Sequence, residues 1–457
     1  MPVNAHYTFP PGFLWGTATA AHQVEGDPPA NQWRAWEQAG RVHRGQTVGP
    51  GCGWWRGLWR DDFQRAAQAG HNALRFSVSW ARIQPAPDRW DPDALAQYRE
   101  WARTARALGL EPFVTLHHFT DPLWFTEQGG WENPAAVQAF AAFARRVGQA
   151  LGDVVRFWAT FNEPNVYAYR GFVEGVFPPG RVGDVRAAFR VLAHMAQAHA
   201  AAYEALHRLQ PDLRVGIVLH YRGMRPARAW FPLERLVTAW HHRLFNDFFW
   251  HALVRGRLMG PTGFTRPAAG LRGTLDYVGL NYYTEDRVRF VWYPGELFGR
   301  HALPAGVPQS AHGEIAVVPQ GFYRALAWAR GFGVPIYVTE NGIDDAADAV
   351  RPLYLATHVH QMWRALINNW PIRGYFHWSL MDNFEWEWGW DRHFGLWACD
   401  PQTQVRKPRS SAHLYAAIAA ANGLTTDAVR RYAAAALPLV FPEAGLAALR
   451  ADEASGR

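Results

Sequence analysis

Tyr337-Val338-Thr339-Glu340-Asn341-Gly342 is the stretch that decides the fold. The apolar residues leading into it, 334–338, read as a buried strand of a parallel sheet, and the run ends in a carboxylate followed by a turn dipeptide. Glu340 therefore stands at the carboxyl end of a strand. The same grammar occurs far upstream. Val154, Val155, Phe157, Trp158 and Phe161 form an apolar run that ends in Asn162-Glu163-Pro164, where the proline stops the ladder. Two strands each present one glutamate at the same end.

Strand ends that converge on one face are the layout of a (β/α)8 TIM barrel, whose loops after each strand carry the chemistry. Two carboxylates on that face can act on an acetal as acid and nucleophile. A separation of about 5–5.5 Å gives retention of anomeric configuration, whereas about 6.5–9.5 Å leaves room for water and gives inversion. The residues alone leave that choice open.

The rest of the chain supplies the strands a barrel needs. Strand-like runs recur at 13–17, 73–78, 112–117, 155–161, 215–219, 277–280, 335–339 and 374–378, which is eight. Between the third and fourth, Val137, Phe140, Phe143, Val147 and Leu151 recur at three- and four-residue spacing, the stripe of a helix lying on a sheet. Asn133-Pro134 reads as its cap and first turn. Helical patterns also fill 93–108, 185–209, 321–331 and 354–368. The stretch 285–319 is long, aromatic and rich in Gly and Pro, which predicts a loop folded over the barrel mouth.

At 457 residues, with no linker or charge block dividing it, the chain reads as one α/β domain. Residues 1–424 form the barrel with elaborated loops at the carboxyl ends of its strands, and 425–457 form a helical appendage packing on it. No apolar run approaches 20 residues, so no membrane span is expected, and the amino terminus lacks the pattern of a secretory signal. With only Cys52 and Cys399, neither a disulfide framework nor a cysteine-based metal site is expected. A soluble, cytoplasmic protein follows from that reading. The net charge of +7 comes from scattered arginines, Lys407 being the only lysine, and argues against nucleic-acid binding.

Six motifs then stand in order: Phe13-Leu14-Trp15-Gly16-Thr17-Ala18-Thr19-Ala20-Ala21-His22-Gln23-Val24-Glu25-Gly26, Arg75-Phe76-Ser77-Val78-Ser79-Trp80, Thr160-Phe161-Asn162-Glu163-Pro164, Gly279-Leu280-Asn281-Tyr282-Tyr283, Thr339-Glu340-Asn341-Gly342, and Trp378-Ser379-Leu380-Met381-Asp382-Asn383-Phe384-Glu385-Trp386. In these the chain resembles the family 1 glycoside hydrolases, the retaining β-glucosidase and β-galactosidase group, from about Phe9 to about Asn422. The resemblance implies a retaining β-glycosidase acting on terminal β-glucosyl residues, and on β-galactosyl and β-fucosyl residues as well, in small glycosides and short oligosaccharides. It implies no cofactor and no metal. It leaves oligomeric state open, a homo-oligomer included.

By the same resemblance Glu340 is the nucleophile and Glu163 the acid/base. Arg75 keeps Glu340 ionised, Tyr283 hydrogen-bonds it, Asn162 grips the sugar 2-hydroxyl, and Asn281 lies beside them. Gln23, His118, Glu385 and Trp386 line the glycone pocket over an apolar floor, Trp378. Amide, imidazole and carboxylate groups suit hydroxyls that both donate and accept. Histidines such as His241, His242, His358 and His360 read as helix-surface or capping residues. Phe119 stands where the family usually has tryptophan, which predicts a slightly roomier pocket on that side.

Two rivals remain open. A 6-phospho-β-glycosidase would replace the carboxylate at Glu385, which repels a phosphate; a non-catalytic sugar-binding relative would have lost one glutamate. Transfer to a sugar acceptor shares the glycosyl-enzyme with hydrolysis and is expected at high acceptor concentration. For the aglycone, Trp292 and Tyr167 are candidates without a ranking.

Overall fold

A computed structural model describes residues 4–444. Eight parallel strands close into a barrel in chain order: β1 (Leu14–Ala18), β2 (Ala73–Ser77), β3 (Glu111–His117), β4 (Phe157–Asn162), β5 (Arg214–His220), β6 (Tyr277–Asn281), β7 (Ile336–Asn341) and β8 (Ile372–Trp378). All eight expected runs are these strands. Several ladders extend past the apolar run to a polar residue, as β5 does to His220 and β6 to Asn281, which pair with each other.

Large and small residues interlock inside the barrel. Phe113 packs against Phe157, Tyr277, Tyr337 and Phe376 with ring centroids 4.3, 5.6, 5.2 and 4.9 Å away. These rings fill the lower barrel, and neighbouring strands give way. A Cβ on Gly216 would lie 2.6 Å from the Tyr277 ring and 2.5 Å from its carbonyl oxygen. Above this aromatic layer the inward residues turn polar, beginning with Arg75 and Thr115.

Helices cover the outside. The expected stripe becomes the helix Ala136–Leu151, with Phe140, Phe143, Val147 and Leu151 buried, each worth about 1.5–3 kcal/mol. Its first turn begins later than expected. Asn133 Oδ1 accepts from Ala135 N at 3.0 Å, an Asx turn that leads into the helix without capping it. The helix Val185–Leu209 has the expected bounds. The helices Trp59–Gln68, Pro232–Asn246, Phe248–Arg255 and Ser410–Ala421 were not anticipated.

The stretch 285–319 is more regular than a loop. Glu285–Phe290 and Gly299–Ala302 pair with each other, and the first also pairs with Gly223–Pro226, giving a three-stranded sheet. The two ends of the chain meet. Gly423–Thr425 pairs antiparallel with His6–Thr8, and Tyr7 stacks between Trp363 and Phe441 at 4.0 and 4.5 Å. The helix Thr426–Tyr432 follows, capped by Thr425 Oγ1; the polar tail of the expected appendage, from 445 on, lies outside the described residues. Among the described residues no helix is long and apolar enough to cross a membrane.

Candidate active site

Glu340 is the fifth residue of β7, and its carboxylate meets two donors. Arg75 Nη1, from β2, donates to Oε1 at 2.5 Å, and the Tyr283 hydroxyl donates to Oε2 at 2.6 Å. Arg75 is wholly buried, and its other donors are spent on Thr115 Oγ1 (3.1 Å), the Thr339 carbonyl (3.2 Å) and Asn162 Oδ1 (2.7 Å). A guanidinium held in four places is a fixed positive charge beside the carboxylate. The turn after Glu340 needs glycine, because a Cβ on Gly342 would lie 1.9 Å from the Trp378 carbonyl oxygen.

Glu163 follows β4 in a left-handed conformation (φ 45°, ψ 56°) at the start of the helix Pro164–Tyr169. Its Oε1 accepts from Asn281 Nδ2 at 2.7 Å and lies 3.0 Å from His220 Nδ1. Asn281 Nδ2 also reaches Asn162 Oδ1 at 3.2 Å, and Asn281 Oδ1 accepts from Thr339 Oγ1 at 2.7 Å. One continuous network, Arg75, Asn162, Asn281 and Thr339, joins the two carboxylates.

Burial pushes the Glu340 carboxyl up to about 7; Arg75 pulls against burial, and the Glu163 carboxylate pushes with it. Arg75 and Tyr283 both donate to Glu340, and each favours its ionised form against burial. Burial, reinforced by the Glu340 and Glu163 charges, holds the Tyr283 phenol well above its ordinary range and keeps it a donor.

His118, Phe119, Asn162, Glu163, Tyr283, Glu340, Trp378, Glu385 and Trp386 all border one cavity of about 1000 Å³. His118 lies nearly parallel to Trp378 and Trp386, each centroid 5.9 Å away. Burial, with Arg75 and His117 nearby, holds it well below the usual histidine range, so the ring is neutral. Its Nε2 faces Asn162 Nδ2 at 3.0 Å, an amide donor, which leaves the proton on Nδ1. That Nδ1 is buried with no partner among the described residues, and so is Oε1 of Gln23. The free Nδ1–H, on a ring that borders the cavity, suits a sugar hydroxyl.

Gln23, Arg75 and Asn281 stand behind the cavity wall. Gln23 Nε2 is held by Asn383 Oδ1 (2.8 Å), the Phe384 carbonyl (2.7 Å) and Glu385 Oε2 (3.3 Å). Burial pushes Glu385 well up, and the Glu387 and Glu340 carboxylates add to it. The segment bearing Glu385 is anchored by Asp382, which receives Arg409 through both oxygens (2.9 and 2.7 Å) and the Gly395 amide (2.9 Å).

Two further groups of residues border the cavity. One is ionic, with Arg170 paired to Glu387 and Arg392 to Glu314. The other is apolar: Val185, Ala188, Phe189, Leu192, Leu244 and Phe245. Neither aglycone candidate lies here. Tyr167 is buried with its hydroxyl on Asp121 at 2.7 Å, and Trp292 is 84% exposed away from the cavity. His358 is a core residue bonded to the Tyr354 carbonyl, and His241 borders the cavity paired to His301, so neither is the surface or capping residue expected. Among the described residues no group of three or more His, Cys, Asp or Glu side chains could hold a metal ion.

Sequence reasoning missed His220. Its apolar run ends at Leu219, although a histidine closing a barrel strand follows the same grammar that singles out Glu340.

A parallel barrel that sets two buried glutamates at its strand ends, beside a cavity of sugar-matching polar groups, is the frame of a glycoside hydrolase. The comparisons agree. Residues 5–424 match glycosyl hydrolase family 1. The chain is 33% identical to β-glucosidase A of Thermotoga maritima, covering 91% of this chain and 98% of the relative. It is 32% identical to a β-galactosidase of Saccharolobus solfataricus, covering 93% and 97%. The solved structure of a β-glycosidase from Pyrococcus horikoshii superposes with a TM-score of 0.87 at 36% identity, covering 94% of this chain and 98% of that one. The chain belongs to glycosyl hydrolase family 1, and it is a retaining β-glycosidase.

Proposed function

We propose that the enzyme removes terminal, non-reducing β-D-glucosyl residues, and β-galactosyl and β-fucosyl residues as well, from small glycosides and short oligosaccharides, with Glu340 as nucleophile and Glu163 as acid/base. The observation that carries the assignment is the asymmetry of donors: Glu340 receives a guanidinium and a phenol, while Glu163 receives neither. The names of the relatives, β-glucosidase and β-galactosidase, support the substrate range. A cytoplasmic location and a homo-oligomer are both compatible with this reading.

In the first step a Glu340 oxygen bonds to the anomeric carbon as the glycosidic C–O bond breaks, and the proton of Glu163 passes to the departing oxygen. The new ester removes the Glu340 charge. Glu163, now ionised, takes a proton from water, whose oxygen bonds to the anomeric carbon while the ester breaks. Asn162 and His118 hold sugar hydroxyls, and Trp378 and Trp386 offer faces to the C–H side of the ring. Glu385, Glu387 and Glu340 bring acidic rather than basic groups to the cavity, which does not suit a 6-phosphate.

Glu340→Ala tests the nucleophile. Turnover is expected to vanish, and azide to restore it with an α-glucosyl azide product. Full activity in a preparation free of wild-type enzyme, or rescue giving a β-azide, would refute the assignment.

A further inference from the structure

The acid/base carboxyl has two oxygens, and the surroundings treat them differently. Oε1 accepts an amide proton from Asn281 Nδ2 at 2.7 Å and faces His220 Nδ1 at 3.0 Å. Among the described residues Oε2 has no hydrogen-bond partner. An amide N–H only donates, so Oε1 is an acceptor toward Asn281. His220 adds a second donor to that oxygen when its proton sits on Nδ1.

The imidazole is held in that orientation. Its ring stacks on Tyr283 (5.7 Å, 16° between planes) and meets the edge of Phe245 (6.0 Å, 89°). Its backbone is held too. Asn165, two residues after Glu163, donates to the His220 carbonyl at 2.8 Å, and His220 pairs with Asn281 across the β5–β6 ladder. The ring is 12% exposed and borders the cavity. Its stacking partner Tyr283 is the donor to Glu340. His220 therefore touches the acid/base directly and packs against the group that holds the nucleophile.

We propose that His220 is a positioning residue for Glu163: with Asn281 it occupies Oε1 and confines the transferable proton to Oε2. A proton on Oε1 would point into donors and be lost to the leaving group. On Oε2 it is free to reach the glycosidic oxygen. His220 itself moves no proton; the proton leaves Glu163 for the departing oxygen and returns from water. The proposal rests on the acid/base assignment of Glu163, and its test separates the two.

The test is kcat/KM of purified enzyme on a series of aryl β-glucosides graded by leaving-group acidity, which reports the steps through the first bond cleavage. His220→Phe keeps an aromatic ring against Tyr283 and removes the donor. It is expected to lose about tenfold or more on the least acidic leaving groups, part of the hundredfold to ten-thousandfold that general acid catalysis contributes in all, and under about threefold on dinitrophenyl glucoside. His220→Asn, which restores an N–H, is expected to recover most of the loss. Equal losses on all leaving groups in a variant that melts like the wild type, or no loss at all, would overturn the proposal. Glu163→Ala is the control for the underlying assignment. If it shows no leaving-group dependence, that assignment fails; if it does and His220→Phe does not, only the positioning role fails.

Discussion

Replacing Tyr283 by phenylalanine removes one atom from the site, and its effect can be worked from the structure. The hydroxyl donates to Glu340 Oε2 at 2.6 Å, and Arg75 cannot replace it, because Nη1 is committed to Oε1 and the Thr339 carbonyl. A hydrogen bond to a charged partner contributes about 1.5–3 kcal/mol, and one pKa unit corresponds to about 1.36 kcal/mol. Losing it favours the protonated carboxyl, so a Glu340 that burial has already pushed to about 7 titrates about one to two pH units higher. As the proposed nucleophile, Glu340 attacks only when ionised. The acid limb of kcat/KM against pH should therefore move to higher pH by that amount. At pH 6 the loss is about tenfold to a hundredfold, and it shrinks as pH rises past the new limb. The assay is a pH series on one aryl β-glucoside, with melting temperatures as a check on folding. An acid limb that stays put while activity falls by one factor at every pH would refute the reasoning, and Tyr283 would then serve shape alone.

Arg75→Met takes the guanidinium from both Glu340 and Asn162 Oδ1, and breaking a buried ion pair costs about 3–5 kcal/mol; a urea midpoint equal to that of the wild type would contradict it. Burial holds His71 and His358 at about 3, so both are neutral in the folded chain. Unfolded histidine titrates near about 6.5, so the stability this lends is complete above about 6.5 and drains as pH falls toward about 3, at about 1.4 kcal/mol per pH unit for each. His71→Phe should remove one such share from the slope of unfolding free energy against pH, and an unchanged slope would count against it. Leu192→Asp places a charge on the apolar stretch of the cavity wall. It should raise KM for octyl and naphthyl glucosides about tenfold or more while leaving inhibition by free glucose unchanged; equal effects on both would mean that this wall does not receive the aglycone.

The strands were legible because each combines an apolar run with an abrupt polar end, and a barrel buries both faces of every strand. Their last residues were not. A ladder is made by backbone groups, so β5 continues through His220 and β6 through Asn281 whatever the side chain is, and a hydropathy reading stops one residue short. The sheet in 285–319 was hidden for the opposite reason: its Gly and Pro residues surround a short strand, Glu285–Phe290, that finds partners only in the folded chain. Both glutamates were visible from their strand ends, but not the turn that aims one of them. Phe119, Glu163 and Trp386, all bordering the cavity, have φ of 64°, 45° and 47°, a region that costs an ordinary residue about 1–3 kcal/mol. For Glu163 the local sequence opposes that conformation, since Pro164 steers the residue before it toward extended backbone. The cause is tertiary: Asn281 holds the carboxyl, Asn165 ties the following turn to the His220 carbonyl, and His220 meets Oε1. The strain at Glu163 and the contact with His220 are therefore two faces of one arrangement, in which β5 and β6 fix a carboxyl that β4 alone would leave free to turn away.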